Sequence, residues 1–202
     1  MGSTTAGQVR RAVEALNAGL LVVLPTDTVY GVAARHDQPA AVARLFEAKG
    51  REGNKPLPIL VSSRGAAEMI GRLTPAGLAL ADAFWPGPLT IVTAVDPAFQ
   101  SDALAGERTV GLRMPNQLMA LALIGTAGGS LAVSSANRSG GPDPLSIDDA
   151  RNQLGDAVAV YIDSGPAPDV RGSTVVDATT DRVRVLRAGP VSQEQIRTVL
   201  DG

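Results

Sequence analysis

Residues 20–31 read LLVVLPTDTVYG, an apolar run followed by small polar side chains. The run from Leu20 to Leu24 has the length and composition of a strand that is buried on both faces. Polar side chains at the end of such a strand cost free energy unless their hydrogen-bonding groups find partners. Ligands of open α/β sheets bind outside strand ends, so the stretch predicts a strand with a binding site beyond it. An ordinary polar turn, whose hydroxyl groups bond to the backbone, is the alternative.

The rest of the chain alternates between helical patterns and short apolar runs. Helix caps are predicted at six residues with short polar side chains: Asp37, Ser63, Thr74, Asn116, Ser146 and Ser192. Strands are predicted over residues 56–61, 89–95, 109–114, 130–133 and 157–162, and a hairpin over 173–177 and 182–187. Because a hairpin pairs antiparallel strands, the pattern predicts an α/β fold with a mixed open sheet and flanking helices. No repeat or clear linker interrupts it, so we expect a single domain over residues 1–202.

The composition excludes several kinds of site. The chain has no cysteine and one histidine, His36, which excludes thiol catalysis, disulfides and multi-histidine metal sites. Its net charge of −2 provides no global basic field, so a polyanion would have to bind to a local patch. No apolar run reaches the ~18 residues of a membrane span, and no apolar signal core is present at the N-terminus. We therefore expect a cytoplasmic protein without a membrane partner.

A local basic patch is present at residues 49–57, which read KGREGNKPL and contain the only two lysines. Lys49, Arg51 and Lys55, separated by glycines, predict a mobile loop that closes over a polyanion. The alternative is a solvated turn after a helix that ends at Gly50, where Lys49 complements the helix dipole. The spacing of these residues favours neither interpretation.

Hydroxyl, amide and cationic side chains cluster in five segments: residues 26–30, 49–55, 109–113 and 135–139, and the pair Ser173 and Arg187. Strand periodicity places Thr109, Gly111 and Arg113 on one face. Taken alone, Arg113 is either half of a structural ion pair or an anion clamp, and the pattern slightly favours the ion pair. The chain has neither a P-loop nor a G-x-G-x-x-G motif, so side-chain cations would have to bind any phosphate.

Seven motifs follow one another in an order that a known family shares: Pro25-Thr26-Asp27-Thr28-Val29-Tyr30-Gly31, Lys49-x-Arg51, Trp85-Pro86-Gly87-Pro88-Leu89-Thr90, Arg113-x-Pro115, Ser135-Ala136-Asn137-x-Ser139-Gly140, Ser173-Thr174-Val175-Val176-Asp177 and Leu186-Arg187-x-Gly189. On these residues the sequence resembles the YrdC/TsaC family of threonylcarbamoyl-AMP synthases over about residues 8–190. The resemblance implies a twisted open sheet around a deep, positively charged groove. Some members carry a further C-terminal domain, which we do not expect within residues 1–202.

The resemblance also implies a reaction. Members of the family make L-threonylcarbamoyladenylate from L-threonine, bicarbonate and ATP, and they release pyrophosphate. The resemblance implies ATP as a substrate, and Mg²⁺ is expected to arrive with the nucleotide rather than in a metal site of the protein. The product is used in the t6A modification of tRNA, so tRNA and the machinery that transfers the product are the expected partners.

Roles for individual residues follow from the same motifs. The residues implied to bind L-threonine are Thr28, Arg113, Ser135 and Ser173; those implied to bind the nucleotide are Arg51, Lys55, Thr109, Asn137 and Arg187; those implied to act in catalysis are Lys49 and Arg51. Two positions depart from the family pattern. Many relatives have Asn at the position of Lys55, and many have His near the threonine at the position of Leu60.

Two other functions are compatible with the same residues. One is an RNA-binding module that uses the groove for phosphates, although the net charge and the 3% aromatic content argue against a broad nucleic-acid surface. The other is a carbamoyltransferase that shares this domain and handles a carbamoyl-adenylate.

Overall fold

The computed structural model describes residues 5–50, 55–169 and 171–202. Its strands are β1 (Leu21–Leu24), β2 (Gly31–Ala34), β3 (Ile59–Val61), β4 (Gly71–Arg72), β5 (Leu89–Val95), β6 (Thr109–Arg113), β7 (Ser130–Ser135), β8 (Val158–Tyr161), β9 (Thr174–Asp177) and β10 (Arg184–Arg187). Its α-helices are α1 (Thr5–Asn17), α2 (Pro39–Lys49), α3 (Arg64–Glu68), α4 (Pro75–Phe84), α5 (Leu118–Thr126), α6 (Ile147–Leu154) and α7 (Gln193–Asp201).

The strands form one mixed sheet in the order β10-β9-β5-β6-β3-β7-β2-β1-β8, with β4 paired to β5. The pairs β1–β8, β3–β6 and β5–β9 are parallel, and the other pairs are antiparallel. The predicted mixed sheet with flanking helices is therefore confirmed, and so is the hairpin, which β9 and β10 form. The apolar run that follows Gly19 becomes β1, and all four of its residues are buried.

Helices cover the faces of the sheet unevenly. On one face, α1 and α5 contribute Leu16 and Leu123 to an apolar cluster over the part of the sheet around Val22 and Leu60. On the opposite face, α2 and α6 pack on a second cluster, and α4 and α7 pack on a third around Ile91. In the register of β3 and β6, Leu60 pairs with Arg113. Arg113 therefore lies on the same face of the sheet that α1 and α5 cover near Leu60. Over β6 and β5 this face is not covered by these helices, and it forms the floor of a cavity.

Four of the predicted helix caps accept a backbone hydrogen bond as expected: Ser63, Thr74, Ser146 and Ser192. Two cap predictions are wrong. Asp37 does not cap α2, which begins after Gln38, because its carboxylate instead forms an ion pair with Arg35. At α5, Gln117 caps the helix with its side-chain oxygen, one residue after the predicted Asn116.

The strand predictions hold best where the apolar runs are long. β5 has the predicted bounds, β3 begins only at Ile59, and β7 extends to Ser135. Trp85 packs against two apolar clusters, as expected of a core residue, and its indole N–H donates to the carbonyl of Leu89 at 2.7 Å. None of the helices in the described ranges is long and apolar enough to cross a membrane.

Candidate functional site

A cavity of about 340 Å³ lies on the sheet face that α1 and α5 leave uncovered. Six residues predicted for the site line it: Thr28, Thr109, Arg113, Ser135, Ser173 and Arg187. They come from the loop after β1, from β6, from the end of β7 and from the β9–β10 hairpin with its preceding residue. The fold thus brings together segments that are far apart in the sequence.

The floor of the cavity follows from strand alternation. β5 and β6 pair with Val92 opposite Gly111, so Thr90 and Val92 share a face with Thr109 and Gly111, and all four line the cavity. Gly111 keeps the floor low, because a Cβ atom at this position would approach Thr90 Cγ2 to 3.2 Å. The residues between these four face the other side, where Ile91 joins the cluster under α4 and α7.

The polar loop after β1 fixes its own hydroxyl groups. Thr26 Oγ1 donates to the carbonyl of Val29 at 2.6 Å and accepts the backbone N–H of Thr28 at 3.1 Å. Because a threonine hydroxyl has one proton, the 3.0 Å contact between the two threonine hydroxyls has Thr28 as its donor. Thr28 is only 1% exposed, so both hydroxyl groups are ordered before any ligand binds.

Arg113 occupies the inner end of the cavity with 6% of its surface exposed. Its Nε–H donates to the carbonyl of Gly87 at 3.1 Å, Nη1 donates to Thr28 Oγ1 at 3.0 Å, and Nη2 donates to Asp27 Oδ1 at 2.5 Å. The ion pair that the strand pattern favoured is therefore confirmed. Burial lowers the pKa of the Arg113 guanidinium below its ordinary value, and the Asp27 carboxylate opposes that shift.

Ser173, which precedes β9, links the β9–β10 hairpin to β5 and is 4% exposed. Its hydroxyl lies 2.7 Å from that of Thr90, and Nη2 of Arg187 donates to the same Ser173 oxygen at 3.2 Å. Nε and Nη2 of Arg187 also donate to the Ser173 carbonyl, at 3.1 and 2.8 Å. The positive charge of Arg187 contributes to the lowered pKa of Arg113, so the two guanidinium groups share one electrostatic environment.

Lys49 and Asn137 lie behind the cavity wall. Lys49 is 4% exposed, and its ammonium donates to the carbonyls of Ser135 and Asn137 at 2.6 and 2.7 Å and to Asn137 Oδ1 at 3.3 Å. The backbone N–H of Ser139 donates back to the carbonyl of Lys49 at 2.8 Å. Lys49 is the last residue of α2, as the alternative interpretation expected. Its side chain is neither solvated nor part of a mobile loop, because it is buried and bonded to the end of β7 and the residues that follow it. Gly50 does end α2, in the left-handed conformation.

Three further positions that the motifs singled out have different locations. Lys55 is exposed and does not line the cavity, whereas Pro56, which follows it, does. Arg51 lies outside the described residues. Leu60 lines the cavity with 4% of its surface exposed, so an apolar side chain stands beside Arg113.

Several residues at the site had no predicted role. Asp27 and Tyr30 lie inside a quoted motif but received no role; Asp27 holds Arg113, and the Tyr30 hydroxyl donates to the carbonyl of Gly165 at 2.5 Å. Asp143, between two prolines, lines the cavity and gave no periodic signal. Across the described ranges, no group of three or more His, Cys, Asp or Glu residues is arranged to hold a metal ion.

The sequence is similar to one family model and to proteins of several organisms. The family model Sua5_yciO_yrdC, described as "Telomere recombination", matches residues 14–189. A protein of Mycobacterium tuberculosis is 48% identical over 190 residues, which are 94% of this chain and 87% of that protein. A Bacillus subtilis protein named threonylcarbamoyl-AMP synthase is 35% identical over 200 residues, which are 98% of this chain and 58% of that protein.

Solved structures give the same result. A crystal structure of Sua5 from P. abyssi in complex with L-threonine matches 95% of this chain with a TM-score of 0.90 and 36% sequence identity. The match covers 56% of that Sua5 chain, so the present chain corresponds to a little over half of it.

Proposed function

We propose, from the premise that the chain belongs to the Sua5/YciO/YrdC family, that it is a threonylcarbamoyl-AMP synthase. As such, it forms L-threonylcarbamoyladenylate from L-threonine, bicarbonate and ATP and releases pyrophosphate, which makes it a nucleotidyltransferase. The observation that carries the proposal is the meeting of Thr28, Arg113, Ser173 and Arg187 in one cavity. Their hydroxyl and guanidinium groups suit an amino acid and an anionic nucleotide.

The amino acid carboxylate is assigned to Arg113. An arginine has five N–H groups, and the bonds to Gly87, Thr28 and Asp27 account for three of them. The remaining two, one on each terminal nitrogen, have no acceptor among the described residues. A carboxylate that enters the cavity supplies two acceptor oxygens for such a pair of donors. Ser135 and Ser173 on the lining are further hydrogen-bonding partners for the threonine.

The nucleotide is assigned to the part of the cavity beside Arg187, which is exposed. Thr109 and the exposed Arg187 line it, and Arg51 and Lys55 belong to the basic segment beside Pro56. Asn137 would act through the segment that follows β7, because it is buried behind the wall. Lys49 adds a positive charge behind the same wall, so its effect on the phosphates is electrostatic rather than a contact.

The chemistry requires no covalent intermediate with the protein. The amine of threonine adds to CO₂ and loses a proton, or adds to bicarbonate with loss of water, and either route gives a carbamate. A carbamate oxygen then attacks the α-phosphorus of ATP. The new carbon–oxygen–phosphorus link forms as the bond from the α-phosphorus to the bridging oxygen breaks, and pyrophosphate carries the electron pair away. The protein contributes by holding the two substrates in line and by offsetting negative charge.

Mg²⁺ would arrive on the nucleotide phosphates, where it neutralises charge. Asp143 is the carboxylate on the cavity lining, and Mg²⁺ in phosphate-transfer sites usually takes only one or two protein carboxylates. The product would pass to the machinery that completes t6A on tRNA, which agrees with the cytoplasmic location expected from the sequence.

The test is pyrophosphate release by the purified chain with ATP and Mg²⁺. We expect release only when L-threonine and bicarbonate are both present, with formation of threonylcarbamoyladenylate identified by mass spectrometry. Release that does not depend on threonine, or that occurs only with carbamoyl phosphate, would favour a carbamoyl-adenylate enzyme of another kind. Salt-sensitive RNA binding without any pyrophosphate release would favour the RNA-binding module.

A further inference from the structure

Asp27 makes one ion pair, and that pair lies at the inner end of the cavity. Its Oδ1 accepts from Nη2 of Arg113 at 2.5 Å, and the two side chains are 11% and 7% exposed. Its other oxygen, Oδ2, is buried and has no hydrogen-bond partner among the described residues. Asp27 is not part of the cavity lining, whereas Arg113 is.

A half-satisfied buried carboxylate is costly, because each unpaired acceptor loses its hydration without compensation. The backbone of this loop is already fixed by Thr26, which bonds to Val29 and to the N–H of Thr28. The Asp27 side chain adds no bond to that network. Its only hydrogen bond in the described part of the chain goes to Arg113, so its contribution concerns the guanidinium.

The three partners of Arg113 fix three different nitrogens. Gly87 holds Nε and Thr28 holds Nη1, while Asp27 alone holds Nη2. The terminal nitrogens Nη1 and Nη2 are therefore oriented by two adjacent residues, Thr28 and Asp27. This leaves one N–H on each terminal nitrogen for a carboxylate in the cavity.

We propose that Asp27 is the positioning residue of this site: it orients Arg113 so that the unused N–H groups meet the carboxylate of the amino acid substrate. The inference rests on the proposed function for the identity of that substrate. Asp27 acts by accepting a hydrogen bond rather than by its charge, because a negative charge beside Arg113 by itself weakens the attraction for another carboxylate.

Two substitutions separate orientation from charge. Asp27→Asn keeps an acceptor oxygen of the same shape and removes the charge, whereas Asp27→Ala removes both. We expect the Kd for L-threonine, measured by titration calorimetry, to rise about 10- to 100-fold in D27A and to stay within about threefold of the wild type in D27N. In turnover assays, the KM for threonine should rise in D27A while the KM for ATP stays near the wild-type value.

A surface ion pair provides the matched control. Asp177 pairs with Arg184 at 2.7 Å on β9 and β10, outside the cavity lining. Asp177→Ala should leave the Kd and the KM for threonine unchanged. Thermal melts of all variants show whether each is folded at the assay temperature, since a purely structural role would lower the active fraction and leave both KM values unchanged.

The outcomes separate the two proposals. If D27A binds threonine as tightly as the wild type, or D27N loses tenfold or more, the positioning role of Asp27 is overturned. If D27A does not fold, a tenfold or greater loss of threonine affinity in D27N still overturns it. A wild-type protein that binds no threonine would overturn the proposed function and this inference together.

Discussion

The substitution Lys49→Met tests whether this lysine is a buried structural cation or a mobile phosphate ligand. Methionine keeps the length of the stem and removes the ammonium, which leaves the carbonyls of Ser135 and Asn137 without their 2.6 and 2.7 Å donor. Two stranded acceptors cost about 2–6 kcal/mol at about 1–3 kcal/mol each. Removal of the ammonium also removes its desolvation penalty, so we expect the free energy of unfolding to fall by about 2–4 kcal/mol.

The chain supplies its own control, because it contains one other lysine. Lys55 is exposed, and Lys55→Met should change the free energy of unfolding by less than about 0.5 kcal/mol. In thermal melts of a protein of this size, K49M should lower the midpoint by roughly 5–15 °C. Urea unfolding of the two variants and the wild type then gives the free energies directly.

The opposite pattern would refute the reasoning. A lysine that reached into solvent to bind phosphates would leave stability intact when it is replaced, and only the affinity for ATP would fall. In that case K49M would keep the wild-type melting midpoint and have a higher Kd for ATP. That result would show that the bonds from Lys49 to the Ser135 and Asn137 carbonyls do not stabilise the fold. An equal loss of stability in K55M would show that the effect is not specific to the buried site.

Two further predictions concern the cavity floor and the single histidine. Gly111→Val places two methyl groups over Thr90 on the cavity floor, where they occupy space that a substrate would need. Pyrophosphate release should therefore fall at least tenfold, while the melting midpoint changes by less than about 5 °C. Full activity would show that the substrates do not use the floor. Burial lowers the pKa of His36, so the unfolded chain binds the proton more readily and stability should decline as the pH falls below about 6.5. In urea unfolding at pH 7.5 and 5.5, His36→Gln should remove part of that decline, and an identical decline in both proteins would contradict the prediction.

The parts of the fold that could be predicted are those specified by local pattern. Leu21–Leu24 is apolar throughout, and Leu89–Val95 is rich in β-branched residues. Ser146 and Ser192 precede residues that complete a capping box. β2 and β4 were missed, since β2 is a four-residue strand immediately after the polar loop and β4 is only two residues long. Such strands are specified by their neighbours in the sheet rather than by their own composition.

The site was predictable as a set of residue types but not as a set of contacts. Hydroxyl and cationic side chains at strand ends indicated which segments line a cavity, and six of the named residues do line it. The partners of the two buried cations could not be read from the sequence. Lys49 and Ser135 are separated by 86 positions, and so are Arg113 and Asp27, so both contacts depend on the completed sheet.

Among the described residues, Lys49, Arg113 and Arg187 lie near the cavity in different surroundings, and the proposed function gives this difference a role. Lys49 is satisfied by carbonyl oxygens behind the wall, and Arg113 is partly neutralised by Asp27 at the inner end. Arg187 is bonded to Ser173, but it has no carboxylate partner among the described residues and remains exposed at the outer side. A buried guanidinium that one carboxylate already neutralises in part, and that keeps two N–H groups, suits a single further carboxylate. An exposed guanidinium without a counter-ion attracts a more highly charged group such as a polyphosphate. Within the proposed function, this difference in burial favours Arg113 for the amino acid carboxylate and the exposed Arg187 for the nucleotide phosphates.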